Sequence, residues 1–165
     1  MSDFYTKEEL TEIGFEAVGE NVNVSKDARF YSVRGKIGNN SRIDAFTVIT
    51  GNIDIQEDVH ISPFCFLGGT GGRITFMNNS GISSHVSLFT KSDNYKNDNT
   101  NEIEKLVGDI TLGKNSIVGS GSRILPGVII HDNVSVGANS VINKDIEPGS
   151  VVVSRSIGVM TVLKR

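Results

Sequence analysis

The sequence predicts an all-β solenoid, a coil of short parallel strands wound from six-residue units. Three observations carry this. Aliphatics recur one hexad apart at Ile37, Ile43, Ile49, Ile55, Ile61 and Leu67, and again at Leu106, Leu112, Val118, Ile124, Ile130, Val136 and Ile142. Small or β-branched residues stand four places after such positions, at Ser41, Thr47, Val59, Cys65, Ser80, Val86, Ile110, Ser116, Ser122, Val128, Val134 and Ser140. Glycine recurs at the second place, at Gly38, Gly68, Gly113, Gly119 and Gly137. If about 3 in 10 positions are aliphatic, six consecutive hits have odds on the order of 1 in 1000, and the pattern runs twice.

Each element follows from that period. Apolar residues at the first and fifth places point inward from short strands separated by turns, and stacked coils bury a continuous aliphatic core while satisfying one another's backbone groups. The second-place glycines mark corners that need either a positive φ or a close backbone approach. A phase slip of three residues falls in the glycine-rich "LGGTGGRIT", after which the lattice continues at Phe76, Ile82 and Leu88. Ahead of the coil, "TKEEL" places Thr6 as N-cap with Glu9 three residues on, a capping box, so a short helix is expected from Lys7 to Ile13, ended by Gly14. That helix covers the first coil, whose open end is otherwise an exposed strand edge. Asp93 to Lys105, "DNYKNDNTNEIEK", is polar and aperiodic and is expected to be an extruded loop. Leu88 and Leu112 are 24 residues apart, four hexads, so the coil resumes in phase. Residues 1–165 are expected to form one domain: a helical cap over 1–20, the coil over 21–153 with the loop 93–105, and a C-terminal segment over 154–165.

Composition narrows the function. The net charge is −3 and the isoelectric point about 5.6, so no nucleic-acid partner is expected. Cys65 is the only cysteine, which rules out an intrachain disulfide, and the three histidines are scattered, which argues against structural zinc. There is no secretory signal pattern and no apolar run near 18 residues, so a cytoplasmic protein without a membrane span is expected.

The stretches "ITLGKNSIVGSGSRILPGVIIHDNVSVGANSVINKDIEPGSVVV" and "IGNNSRIDAFTVITGNIDIQEDVHISPFCFLGG" resemble the hexapeptide-repeat acyltransferases that acetylate sugars, over roughly residues 20 to 153. The resemblance implies a left-handed parallel β-helix, a hand that the general crossover rule does not favour. It also implies a homotrimer with sites between subunits, walled by the extruded loop, and acetyl-CoA as co-substrate. "SDNY" (Ser92 to Tyr95), "HISPFCFLGGTGG" (His60 to Gly72) and "EELTEIGFEAVGENV" resemble a subgroup associated with acetylation of surface-polysaccharide sugars. In the galactoside and maltose branch a catalytic histidine stands eleven residues after the lattice residue opening its coil, where this chain has Asp93.

Acetyl transfer requires proton removal from the acceptor, oxyanion stabilisation and positioning. The candidate catalytic residues are His60 as base, Asp93 as its orienting or charge-balancing partner across a subunit interface, and His85 as a lining residue. Lys91 is a candidate contact for an anionic substrate group, and His131 reads as a surface residue. The resemblance places pantetheine contacts at Ser120 and Ala138, with Asn143 and Lys144 nearer the nucleotide of the cofactor. The C-terminus "SRSIGVMTVLKR" departs from the family pattern at Ser154 and Gly158, and Arg155, Lys164 or Arg165 is expected to replace the lost basic contact to the cofactor's phosphates. The absence of histidine at position 93 favours N-acetylation of a nucleotide-linked amino sugar, since a free amine needs less base help than a hydroxyl. O-acetylation of a galactoside or polysaccharide hydroxyl and a non-catalytic scaffold are the alternatives. Hexapeptide coils also build zinc carbonic anhydrases, a resemblance that implies a close histidine pair which His60, His85 and His131 do not supply.

Overall fold

The computed structural model describes residues 3–94 and 104–153. It is a left-handed parallel β-helix of three faces. The chain visits them in turn, so each face is a ladder of strands from successive coils. The second face is a seven-stranded ladder, from Asn23–Val24 through Arg42–Ile43, His60–Ile61, Gly81–Ile82, Ile117–Val118 and Ser135–Val136 to Val151–Val152. The first and third faces share the long strands Arg29–Ile37, Val48–Ile55 and Phe66–Phe76, which run through the corner between them. Ser87–Phe89, Arg123–Ile124 and Val141–Ile142 extend the third face, while Phe15–Val18, Ile110–Leu112 and Ile129–Ile130 belong to the first.

The hexad pattern is the core. Ile37, Ile43, Ile49, Ile55, Ile61, Leu67, Phe76, Ile82, Leu88, Leu112, Val118, Ile124, Ile130, Val136 and Ile142 are all buried, as are the residues four places after them except Gly71 and Ser92, where the coil is interrupted. The fifth-place serines also join coils. Ser116 Oγ donates to the His131 carbonyl at 2.8 Å and accepts from the Val134 N–H at 2.9 Å. Ser41 does the same with Gln56 and Val59 one coil on. Buried hydroxyls with both roles filled are compatible with an otherwise apolar interior.

Leu106 is a correction to the lattice. It is 44% exposed, because Lys91–Asp93 and Lys105–Val107 pair antiparallel as the stem of an outward hairpin. The core resumes instead at Ile110 and Leu112. The phase slip of three is an insertion: Gly51 faces Gly69 but Asn52 faces Arg73, so Thr70, Gly71 and Gly72 have no partner in the preceding coil. A smaller slip lies upstream, where Tyr31 faces Thr50 and Arg34 faces Asn52. This one extra residue, with Ser32 at φ 50°, hides the first coil from a hexad count begun at Ile37. The coil starts at Phe15, inside the segment expected to be only a cap.

The helix (α1, Lys7–Ile13) has the expected capping box: the Glu9 N–H donates to Thr6 Oγ1 at 3.2 Å and the Thr6 N–H to Glu9 Oε2 at 2.7 Å. That backbone donor, with Lys26 second, holds the Glu9 carboxyl below the usual carboxylate range. Leu10 is buried at the start of the coil, and Tyr5, Phe30 and Phe15 meet edge to face beside it. Of the two explanations for the second-place glycines, close approach holds. A Cβ on Gly113 would stand 2.4 Å from the His131 carbonyl carbon. The left-handed backbone falls two places later, where Asn21, Asn40, Asp58, Asn79, Asn115 and Asn133 line the corner between the first and second faces. Their amides bond from coil to coil, as in Asn79 to Asn115 at 2.9 Å and Asn115 to Asn133 at 3.1 Å. Among the described residues no helix is long and apolar enough to cross a membrane.

Candidate functional site

His60 stands on the second face because Ile61 is inward and successive strand residues alternate. The next coil offers Gly81 at the same place and the previous one Arg42, so no side chain covers the ring from above. Asp44, two residues beyond Arg42, shares that face. Its carboxylate is nearly buried and accepts from His60 Nε2 at 2.8 Å and from Arg42 Nε. With Nε2 donating to a carboxylate, the neutral imidazole keeps its lone pair on Nδ1, and the ring is half exposed. This is the arrangement of a general base steadied by an acid.

The sequence points to Asp93 of a neighbouring copy for that place. Within one chain the carboxylate that meets His60 is Asp44, while Asp93 is paired with Lys105 across the hairpin stem. Nothing in the period distinguishes Asp44 from any outward acid. Only the coil-to-coil register, which sets Arg42 opposite His60, brings the two together.

The remaining candidates fall on two corners. His85, Ser120 and Ala138 are exposed on successive coils at the corner between the second and third faces. Asp93, Asn143 and Lys144 lie at the corner between the third and first faces, where the chain leaves Ser87–Phe89 and Val141–Ile142. Lys91 is exposed on the hairpin stem, and His131 is half-buried on the first face. Arg155, Lys164 and Arg165 lie outside the described residues. The third face therefore separates the two groups within one chain.

Cys65, one place after the corner, is buried, and its S–H donates to the Ser83 carbonyl at 3.3 Å. Burial pushes the thiol up to about 11. A buried thiol so rarely ionised is a poor nucleophile. A shallow cleft of about 470 Å³ lies on the first face beside Gly19, Lys36, Gly38 and Asp54. It arises where glycines leave out side chains and holds none of the candidate bases. No group of three His, Cys, Asp or Glu suited to a metal ion occurs among the described residues.

Sequence and fold comparisons agree in direction. The bacterial transferase hexapeptide family (six repeats) matches residues 35–69 and 109–144. A dTDP-4-amino-4,6-dideoxy-D-glucose acyltransferase of Escherichia coli is 38% identical over 154 residues, covering 87% of this chain and 80% of that protein. AntD, an N-acyltransferase from Bacillus cereus solved with dTDP and 3-hydroxybutyryl-CoA, superposes with a TM-score of 0.82 at 31% identity, over 92% of this chain and 85% of that one. A substituted AntD solved with dTDP-4-amino-4,6-dideoxyglucose and coenzyme A gives the same TM-score, over 92% and 86% of the two chains. The acetyltransferase domain of PglB from Neisseria gonorrhoeae shares the fold at 19% identity and a TM-score of 0.61, over 79% and 53% of the two chains.

Proposed function

The chain belongs to the bacterial hexapeptide-repeat acyltransferases, and from that premise we propose that it transfers the acyl group of acetyl-CoA to the amine of a dTDP-linked 4-amino-4,6-dideoxy sugar. The observation that carries this reading is the E. coli relative acting on such a sugar, 38% identical across 87% of the chain. Aspartate rather than histidine at position 93 fits an amine acceptor. The proposed setting is cytoplasmic synthesis of surface-polysaccharide sugars such as those of O-antigen. AntD with 3-hydroxybutyryl-CoA bound makes a longer acyl group a compatible donor on this fold.

The mechanism is one direct attack in a ternary complex. The sugar nitrogen bonds to the thioester carbonyl carbon while its proton passes to His60 Nδ1. The C–S bond then breaks, and coenzyme A leaves as the thiol after taking up a proton. Backbone N–H groups of the coil hold the oxyanion. Pantetheine runs up the corner past Ser120 and Ala138, towards Asn143, Lys144 and Arg155 at the nucleotide end.

The separation of the two corners supports a site completed between copies, which a homotrimer provides. Ile117, Val141 and Val151 are outward aliphatics on the second and third faces, 51%, 59% and 74% exposed, and packing against a neighbouring copy buries them. In that arrangement the hairpin of one copy brings Asp93 to the His60 of the next, where its carboxylate receives the acceptor's amine. The test is thiol release from acetyl-CoA with nucleotide 4-amino and 3-amino sugars, galactosides and maltose as acceptors. Turnover of the dTDP-linked 4-amino sugar is expected to exceed that of every hydroxyl acceptor. Faster turnover of a galactoside would overturn the choice of acceptor, and absence of both turnover and coenzyme A binding would leave a scaffold.

A further inference from the structure

Three rings project from the corner between the second and third faces. Phe46, Phe64 and His85 stack on consecutive coils, with centroids 5.1 Å apart at both steps and interplanar angles of 19° and 6°. Each ring is carried on left-handed backbone, at φ 60°, 62° and 63°. At the other corners asparagine, aspartate or glycine takes that conformation, with Ser32 at the one-residue bulge. A bulky residue there is unfavourable, and such outliers persist where surrounding structure or function requires them. Packing of the core does not require these rings: Phe46 and Phe64 are 56% and 51% exposed. The stack also ends abruptly. The next coil has Gly121 in place of a ring, with the Arg123 guanidinium 3.4 Å from its carbonyl. Arg42 and His60 stand on the second face in the coils that carry Phe46 and Phe64, only four residues before each.

Rings at a corner with the Arg42 guanidinium on the adjoining face suit a ligand that joins a flat heterocycle to an anionic diphosphate. We propose that Phe46, Phe64 and His85 seat the nucleobase of the acceptor, with Arg42 beside its diphosphate. This rests on the amino-sugar N-acyltransferase reading and deepens it. The base lies against the exposed ring edges, edge to face, a contact aromatic rings favour. The acceptor is preferred to coenzyme A as the occupant because Ser120 and Ala138, the pantetheine positions, lie on the coils above His85. The stack therefore occupies the opposite end of the corner from the cofactor, with His60 on the adjoining face in the coil of its middle ring.

The test compares Phe64→Asn and Phe64→Leu with the wild type, using dTDP and coenzyme A as separate calorimetric probes and sedimentation for the assembly. Asparagine suits the left-handed backbone, so the folded protein is retained, and leucine keeps apolar bulk without a ring. The Kd for dTDP is expected to rise on the order of tenfold in both variants, the scale of one lost base–ring contact. The Kd for coenzyme A and the assembly mass are expected to stay unchanged. An unchanged Kd for dTDP overturns the inference, and so does dissociation of the assembly, which would identify the stack as a subunit interface. If the wild type transfers acyl groups to the amino sugar while Phe64→Asn binds dTDP normally, only this inference fails. If the wild type neither binds dTDP nor turns over, the functional reading fails with it.

Discussion

Replacing His60 with alanine is expected to lower kcat for the amino sugar by about a hundredfold to ten-thousandfold, the usual contribution of a positioned base. KM for either substrate should change little, because the ring takes a proton that moves only as the nitrogen attacks. Added imidazole should restore part of the rate, a response that lost packing does not give. Asp44→Asn keeps the shape but replaces the carboxylate that holds His60 Nε2 at 2.8 Å. As a positioning residue it should cost less, and the loss should again fall on kcat. If His60→Ala retains full kcat, the proton goes elsewhere and the His60–Asp44 pair is structural.

Gly35→Ala should produce the largest loss of stability. Gly35 has φ +142°, and a Cβ there would sit 1.6 Å from the Ile53 carbonyl oxygen of the next coil. Backbone strain and forced separation of coils each cost about 1–3 kcal/mol, together about 2–6 kcal/mol of a total stability of about 5–15 kcal/mol. For a chain of this length that lowers Tm by roughly 5–20 °C. Gly127→Ala is the matched control, since φ is +82° but nothing lies within 4 Å of the added carbon. It introduces the strain alone, so thermal unfolding of the two variants separates conformation from coil spacing. Equal Tm values would show that the approach at Gly35 is relieved without cost.

These effects mark where the fold could be read from the chain and where it could not. Ile37 to Leu67 and Leu112 to Ile142 were legible because a solenoid repeats one environment, and each inward place selects an aliphatic. The first coil was not, because one extra residue near Ser32 shifts the phase. Leu106 satisfied the period by coincidence and belongs to the hairpin stem, whose antiparallel pairing leaves no trace in a hexad count. Glycine at the second place was read with two meanings, and geometry selects close approach. The site was less legible still. His60 stood out as an outward histidine, but its partner Asp44 lies 16 residues earlier and meets it only through coil register. Phe46 and Phe64 occupy places filled elsewhere by asparagine or glycine. That conflict between residue type and corner was visible in the chain, and it gained meaning only when their rings proved to stack.

A site shared between copies can be tested by mixing two inactive proteins. His60→Ala and Asp93→Ala chains would be unfolded together, refolded in equal amounts and assayed for acyl transfer to the dTDP-linked amino sugar. If each site takes His60 from one copy and Asp93 from the next, random trimers regain roughly a quarter of the wild-type rate, since one site in four receives both intact residues. Mixed trimers no more active than either parent would place His60 and Asp93 in the same chain's site, or in no common site at all.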